Sequence, residues 1–447
     1  MEILLINPKS EVSICNTRFE KHSEKEEVSK KLKFFNPGLL SLASYLYDLG
    51  TTLEILDLEH INYEHDLLRE KLRNEKPKFI GISGVSFKSY VNIINYAKII
   101  KEELPKSIVV CGGMHISALG EQVFNDSENV DLLVLFEGEK VLQMIMDSSA
   151  QDYKNIPGII YKNEKGEIIK TESKKIQIDL KPLHFKLWPN FEEYEPFVEV
   201  SRGCQFNCNF CTNNHQFACY REKPIDIIIE ELAELGKVYN SLKNSLINMF
   251  ALNFGQNQKN FKKLMACLQN ERLDINWSIQ GRVDSHWINS LDLMLDLGLR
   301  GVGVGMESAS ERMLKIMNKT RNPKKYVSHT INCLSRLKKY ESSDLKVILN
   351  ILFYAGETTE TIETTRSFLK KHIGGNMGIS AASLMAFPKT EIYENIDYYK
   401  LEYGTSLHIT DEWNKHRCYP VNLTPELRWD IVWELTKKFN IEFERKN

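Results

Sequence analysis

Ser201-Arg202-Gly203-Cys204-Gln205-Phe206-Asn207-Cys208-Asn209-Phe210-Cys211 gathers three cysteines, Cys204, Cys208 and Cys211, directly after an apolar run, PFVEVS (196–201), that reads as a β-strand. Three thiols on one loop point to a metal centre. Thiolates hold iron–sulfur clusters, and a four-iron cluster usually takes four of them. A loop that supplies three leaves one iron open, the feature that separates catalytic from structural metals. The competing reading is a structural zinc completed by His215 or Cys219. Structural zinc usually pairs two Cys-x2-4-Cys units well apart in sequence, and this chain has no second Cys-x2-Cys.

Five further apolar runs follow that first strand: SLINMF (245–250), INWSIQ (275–280), GVGVGM (301–306), KVILNILF (346–353) and ISAASLM (379–385). Amphipathic helices are expected between them, for example over 226–239 and 322–337. Six βα units predict a six-stranded partial (β/α) barrel, with a doubly wound sheet as the alternative. Either fold places chemistry at the carboxyl ends of the strands. There the sequence offers Asn253, Gln280, Arg282, Asp284, Glu307-Ser308 and Tyr354-Ala355-Gly356-Glu357-Thr358. Each also has a purely structural reading: Asp284 or Thr358 as a helix start, Arg282 as a partner for a carboxylate.

Upstream, EILLIN (2–7), LEILDL (53–58), FIGISGV (79–85), IVVCGG (108–113) and LLVLF (132–136) alternate with helical segments. Runs apolar on successive positions are strands buried on both faces, so an N-terminal doubly wound parallel sheet is expected. Small residues follow the strands: Ser83-Gly84-Val85-Ser86, Gly112-Gly113 and Glu137-Gly138-Glu139. They allow close backbone approach to a flat or phosphorylated ligand, or simply make tight turns. The expected organisation is a sheet domain over 1–150, a linker with a hairpin over 151–195, the barrel over 196–395, and a small, mainly helical segment over 396–447 with a helix at 425–440.

The 447 residues carry a net charge of −2, which excludes a global pull toward nucleic acid or an anionic membrane. MEILLINPKSE (1–11) lacks a basic region and a long apolar core, and no run approaches the roughly 18 residues needed to span a bilayer. A cytoplasmic protein is expected, in whose reducing surroundings clustered cysteines are metal-binding rather than disulfide-forming.

The loop from Cys204 to Cys211, with Phe210 before the last cysteine and Ser201-Arg202-Gly203 ahead of the first, resembles the cluster motif of the radical S-adenosylmethionine (SAM) superfamily. Trp277-Ser278-Ile279-Gln280-Gly281-Arg282-Val283-Asp284, Gly305-Met306-Glu307-Ser308, Met317-Asn318-Lys319 and Gly356-Glu357-Thr358 are similar to recurrent stretches of that superfamily. Phe387-Pro388-Lys389-Thr390 is similar to a Pro-Gly-Thr turn, with Lys in place of Gly. The resemblance implies that Cys204, Cys208 and Cys211 hold a [4Fe–4S] cluster whose open iron chelates SAM. One electron would then cleave SAM to a 5′-deoxyadenosyl radical that abstracts hydrogen from the substrate. It also implies SAM contacts at Phe210 (adenine), Asn253, Gln280, Arg282, Glu307 and Ser308, with Tyr354 a candidate catalytic residue. The implied partners are a small-molecule substrate and an electron donor such as flavodoxin or ferredoxin; membrane and nucleic acid are not expected ones.

Asn7-Pro8, Asn36-Pro37-Gly38-Leu39, Gly112-Gly113 and Glu137-Gly138-Glu139 resemble the cobalamin-binding domain that precedes the radical SAM domain in one large class. This implies cobalamin near Ser83, Ser86, Gly112, Gly113, Glu137 and Gly138. The cobalt-ligating pattern Asp-x-His-x-x-Gly is absent: Asp57-Leu58-Glu59-His60 has the wrong spacing, and His115 lacks the Asp two residues ahead, so His115 is expected to face solvent. With cobalamin, the expected reaction is methyl transfer to an unactivated carbon of a small-molecule or natural-product intermediate. Without it, the alternative is a one-SAM radical dehydration, dehydrogenation, epimerisation or rearrangement. A zinc-binding regulatory protein is the distant alternative.

Overall fold

Leu4, Ile6, Ile80, Ile82, Val109 and Leu133 are all essentially excluded from solvent. They belong to short strands whose both faces are covered, each such side chain contributing about 1.5–3 kcal/mol by burial. The structure is a computed structural model that describes residues 1–11, 33–217, 219–239, 246–341 and 344–445. The sequence reading of a strand beginning at Ser245 starts outside those residues. Two compact units result. The first comprises Met1–Tyr194, Thr212–Ala218 and Asp411–Cys418; the second comprises Glu195–Cys211, Cys219–Thr410 and Tyr419–Asn447.

In the first unit the strands are β1 (Ile3–Asn7), β2 (Leu53–Asp57), β3 (Phe79–Ser83), β4 (Ile108–Gly112), β5 (Leu132–Val134), β6 (Ile159–Lys162) and β7 (Ile168–Lys170). The sheet order is β2-β1-β3-β4-β5-β6-β7. It is parallel through β5, with Ile3 beside both Leu53 and Phe79. The chain steps from β1 outward to β2 and then back across to β3. Right-handed crossovers of opposite direction put helices on both faces, and the reversal opens a crevice beyond the ends of β1 and β3. The hairpin β6–β7 pairs antiparallel onto β5 and so extends this sheet.

A network of amide and hydroxyl side chains, anchored on the Asp57 carboxylate, bridges the crevice. Asn36 Nδ2 donates to Asn7 Oδ1 at 3.1 Å and to Ser83 Oγ at 3.0 Å, while Asn7 Nδ2 donates to Asp57 Oδ1 at 2.8 Å. Asn36 Oδ1 also accepts from Leu39 N at 3.2 Å and caps the helix Pro37–Asp48, with proline at its first position.

The second unit holds β8 (Phe197–Glu199), β9 (Ile247–Phe250), β10 (Trp277–Arg282), β11 (Leu299–Glu307), β12 (Lys346–Phe353) and β13 (Met377–Ser383). They pair in parallel, in strictly sequential order. A doubly wound sheet requires a reversal of that order. Without one, every crossover runs the same way, all helices lie on one face, and the sheet curls into a partial barrel. The β13 edge is closed by Asn440, whose Oδ1 accepts from Ala381 N at 2.8 Å and whose Nδ2 donates to Ala381 O at 3.1 Å. Asn440 lies on the helix Trp429–Glu442, which begins later than the sequence suggests. Leu427 N bonds Thr424 Oγ1 at 3.2 Å and Trp429 N bonds Asn422 Oδ1 at 2.9 Å, so a turn occupies the stretch read as the first helical residues.

Candidate iron–sulfur site

The loop carrying the thiols begins at Gly203, which has φ +82°. Ser201–Arg202 pair antiparallel with Arg221–Glu222, and this brings the Cys219 carbonyl oxygen to 2.5 Å from where a Gly203 Cβ would stand. Only glycine tolerates both conditions. Gly203→Ala is expected to cost at least about 2 kcal/mol and to lower iron uptake on anaerobic reconstitution. An unchanged melting temperature with full iron content would refute this.

Beyond Gly203 the loop is pinned to the turn at 316–319. Asn209 N donates to Met317 O at 2.9 Å, Asn209 Nδ2 to Ile316 O at 3.0 Å, and Asn318 Nδ2 to Asn207 O at 2.7 Å. Two cations stand beside the thiols. Arg282 Nη1 lies 3.9 Å from Cys208 Sγ, with its guanidinium 3.7 Å over the Phe206 ring. It is oriented by a two-pronged ion pair to Asp284 at 2.9 and 3.0 Å and by a bond to Lys319 O at 2.8 Å. Lys319 is buried, with Nζ 2.8 Å from Glu307 Oε1 and 6.0 Å over the Phe210 ring. Burial pulls the Lys319 ammonium's pKa down, but Glu307, with Tyr326 and Cys208 beside it, outweighs burial and holds it above the ordinary lysine range. Glu307 sits in left-handed backbone, φ 66°, at an irregularity in the β11–β12 register. That strained conformation is the kind that concentrates at functional sites.

Burial pushes the Cys204 and Cys208 thiols up, with Arg282 and Lys319 pulling against it. Thiolates here therefore call for a metal to displace their protons. The geometry fits a cluster better than a single ion. Two thiolates on one tetrahedral zinc stand about 3.8 Å apart. Among the described residues the one trio of Cys, His, Asp or Glu ligand atoms that converges within 4.8 Å is Glu11, Glu412 and His416, so the three sulfurs are spread wider than one ion requires. His215, the fourth ligand of the zinc reading, has its ring 5.4 Å from that of Phe136. The residues fit a polynuclear cluster, with two buried cations offsetting its negative charge.

The other residues singled out by sequence have distinct surroundings. Asn253 is buried; its Oδ1 accepts from Arg282 N at 2.9 Å and Ser285 Oγ at 2.8 Å, while Nδ2 has no hydrogen-bond partner. A buried orphan donor suits a ligand acceptor. Phe210 lies 6.3 Å from the Tyr354 ring. Tyr354 is fully buried, its hydroxyl 3.1 Å from that of Tyr399, which bonds Glu391. Gln280 is exposed, and the buried Ser308 hydroxyl is engaged with Thr365 at 3.1 Å and Ser310 N at 3.1 Å. Thr358 caps the next helix through a reciprocal bond pair with Thr361, the structural reading of that stretch. Lys389, at the place of the family glycine, has φ 66°. Lys319 was missed as a site residue; its signal was the Met317-Asn318-Lys319 stretch.

In the first unit Ser83 and Gly112 end β3 and β4, Ser86 follows β3, and Glu137 and Gly138 follow β5. With Asn7, Asn36 and the 42% exposed Val85, the crevice offers small, polar and partly apolar surroundings, which fit a large ring cofactor such as cobalamin. His115 is buried, correcting the expectation of solvent exposure: its ring packs on Tyr90 at 5.4 Å and its Nε2 donates to His416 O at 3.1 Å. Burial lowers its pKa to about 4. That partner lies 301 residues away, beyond the reach of local sequence.

Residues 198–369 match the Radical SAM superfamily, and residues 29–145 match the B12 binding domain. An uncharacterized methyltransferase of Pyrococcus horikoshii is 28% identical over 82% of this chain and 78% of its own length. An anaerobic magnesium-protoporphyrin IX monomethyl ester cyclase of Rubrivivax gelatinosus is 25% identical over 72% of this chain and 60% of its own. Among solved structures, the radical SAM methyltransferase TsrM of Kitasatospora setae, with cobalamin and [4Fe–4S] cluster bound, superimposes with TM-score 0.70 over 92% of this chain and 81% of its own, at 17% identity. The cobalamin-dependent radical enzyme OxsB, with aqua-cobalamin bound, reaches TM-score 0.74 over 97% of this chain and 66% of its own, at 15% identity. At those identities the likeness is one of fold. Among the described residues no helix is long and apolar enough to cross a membrane. With its thiol loop at the end of the first barrel strand and a parallel-sheet domain ahead of it, the chain carries a radical SAM domain over residues 198–369 and a B12-binding domain over residues 29–145.

Proposed function

We propose that this protein transfers a methyl group to an unactivated carbon of a small-molecule or natural-product intermediate. The observation that carries this is the pairing, in one chain, of the Cys204, Cys208 and Cys211 loop backed by Arg282 and Lys319 with a B12-binding sheet whose crevice is lined by small and polar residues. When bound, the cluster would supply the electron that cleaves SAM and cobalamin would supply the methyl carrier. The chain's own residues position and shield. The three cysteines ligate the cluster, while Arg282 and Lys319 offset its charge. Asn253 Nδ2 and the Phe210 ring are offered to SAM, and Glu307 orients Lys319. Tyr354 backs Phe210 from a dry position. Asn36, Ser83, Ser86, Gly112, Gly113, Glu137 and Gly138 line the corrinoid crevice. A flavodoxin or ferredoxin is the proposed electron donor, and the cytoplasm the proposed location.

The matches to methyltransferases support this reading. The match to the Rubrivivax cyclase, over 72% of this chain, favours a second one: radical chemistry on an unactivated position without methyl gain. The two separate in one anaerobic assay of cluster-reconstituted, cobalamin-loaded protein with methyl-deuterated SAM and a reductant. Cobalamin-dependent S-adenosylhomocysteine alongside 5′-deoxyadenosine is expected, with the label in the product. 5′-Deoxyadenosine alone, with no cobalt retained after desalting, would select the second reading.

A further inference from the structure

We propose that Glu11, Glu412 and His416 form a divalent-cation site in the first unit, separate from the thiol loop and suited to zinc. Glu412 and His416 stand one turn apart on the short helix Asp411–His416, so both face the same side. His416 is fully buried. Its Nδ1 lies 3.1 Å from the Phe87 carbonyl oxygen, which can only accept, so Nδ1 carries a proton. A backbone carbonyl behind one imidazole nitrogen is the arrangement that fixes the tautomer and presents the other nitrogen to a metal. That other nitrogen, Nε2, is buried and has no hydrogen-bond partner.

Two carboxylate oxygens face it, Glu11 Oε2 at 3.6 Å and Glu412 Oε1 at 3.7 Å. Both distances are too long for hydrogen bonds. They match the spacing of two ligands around one tetrahedral ion, about 3.4 Å for bonds of about 2.1 Å. All three ligand atoms lie within 4.8 Å of one another. The second Glu412 oxygen pairs with Lys415 Nζ at 3.0 Å, which orients the carboxylate and leaves Oε1 for the ion. One imidazole and two carboxylates form a borderline donor set that suits Zn²⁺, with water in the remaining position.

Such an ion would fasten the segment Asp411–Cys418 to Glu11, beyond the end of β1, whose backbone N in turn bonds Lys88 O at 3.0 Å in the loop after β3 that follows Ser83 and Ser86. The bond from His115 Nε2 to His416 O and the Arg417–Asp126 ion pair already hold that segment from the flanks. The cation would thus stabilise the crevice edge rather than take part in radical chemistry.

The test uses full-length, cluster-reconstituted protein, so that iron occupies the cysteine loop. After treatment with a chelating resin it is titrated anaerobically with Zn²⁺, and zinc and iron are measured after desalting. One zinc per chain beyond the cluster is expected, with iron unchanged and a raised melting temperature. His416→Ala should bind zinc at least about 100-fold more weakly. Because His416 is buried, Glu412→Gln serves as the second variant, its side chain being half exposed. It should melt like the zinc-free wild type and bind zinc at least about tenfold more weakly. No zinc beyond the cluster in the wild type would overturn the proposal. So would wild-type affinity in Glu412→Gln.

Discussion

Cys208→Ala will lose its cluster and its chemistry together: iron after anaerobic reconstitution falls from about four per chain to below about one, and 5′-deoxyadenosine formation falls by at least about three orders of magnitude. Three thiolates are the minimum for a site-differentiated four-iron cluster, so the loop has no spare ligand. Cys208 is also the thiol that Arg282 reaches, at 3.9 Å, so its removal takes away the contact that couples the loop to β10. The control is Cys219→Ala. Cys219 is exposed, and its replacement is expected to keep wild-type iron. Wild-type iron in Cys208→Ala, or iron loss equal to it in Cys219→Ala, would sink the three-ligand assignment and bring Cys219 back as a ligand.

Lys319→Met is expected to destabilise the protein by about 3–5 kcal/mol, a melting-temperature loss on the order of 10 °C. The magnitude comes from the group left behind. Glu307 has a side chain only 12% exposed and would keep its charge without the ammonium 2.8 Å away. Burial on its own would hold the Lys319 pKa down, and it stands above the ordinary range because Glu307 outweighs that penalty. The same coupling predicts non-additivity. Lys319→Met/Glu307→Gln should recover most of the lost stability, because no unpaired charge remains. Differential scanning calorimetry of the wild type, both single variants and the double variant measures the coupling. Additive losses would show that the pair contributes nothing beyond its separate side chains. Cluster binding gives a second readout: the double variant, though stable, should hold a cluster harder to reduce, since one of the two cations beside the thiols is gone.

Much of this molecule could be read without coordinates. The apolar runs of the first unit became strands because Ile, Val and Leu on successive positions are buried on both faces, while a run of the second such as Lys346–Phe353 buries alternate residues, Val347, Leu349, Ile351 and Phe353, and leaves Ile348 exposed; both demands are local to each run. The thiol spacing announced a metal loop because Cys-x3-Cys-x2-Cys is itself the donor set. The helix starts at Asn36-Pro37 and Thr358 were legible because a cap is settled within four residues.

What remained hidden depends on contacts between distant parts of the chain. Sequence left the barrel and the doubly wound sheet open for the second unit. Strand order decided between them: sequential in the second unit, reversed at β1 in the first. Asp284 could have been a helix cap, yet its geometry makes it the clamp that aims Arg282 at Cys208. Lys319 looked like part of a motif, and only the fold of β11 showed Glu307 turning through φ 66° to meet it. His115 looked solvent-facing until a carbonyl from residue 416 arrived to bury it, and the same segment brought His416 between Glu11 and Glu412. The sequence by itself determined which elements form and which donor atoms the thiol loop carries, because those follow from side-chain chemistry within a few residues. Only the tertiary structure decided which charges stand beside those donors and which histidine is offered a metal, because packing sets distances between residues that the chain keeps far apart.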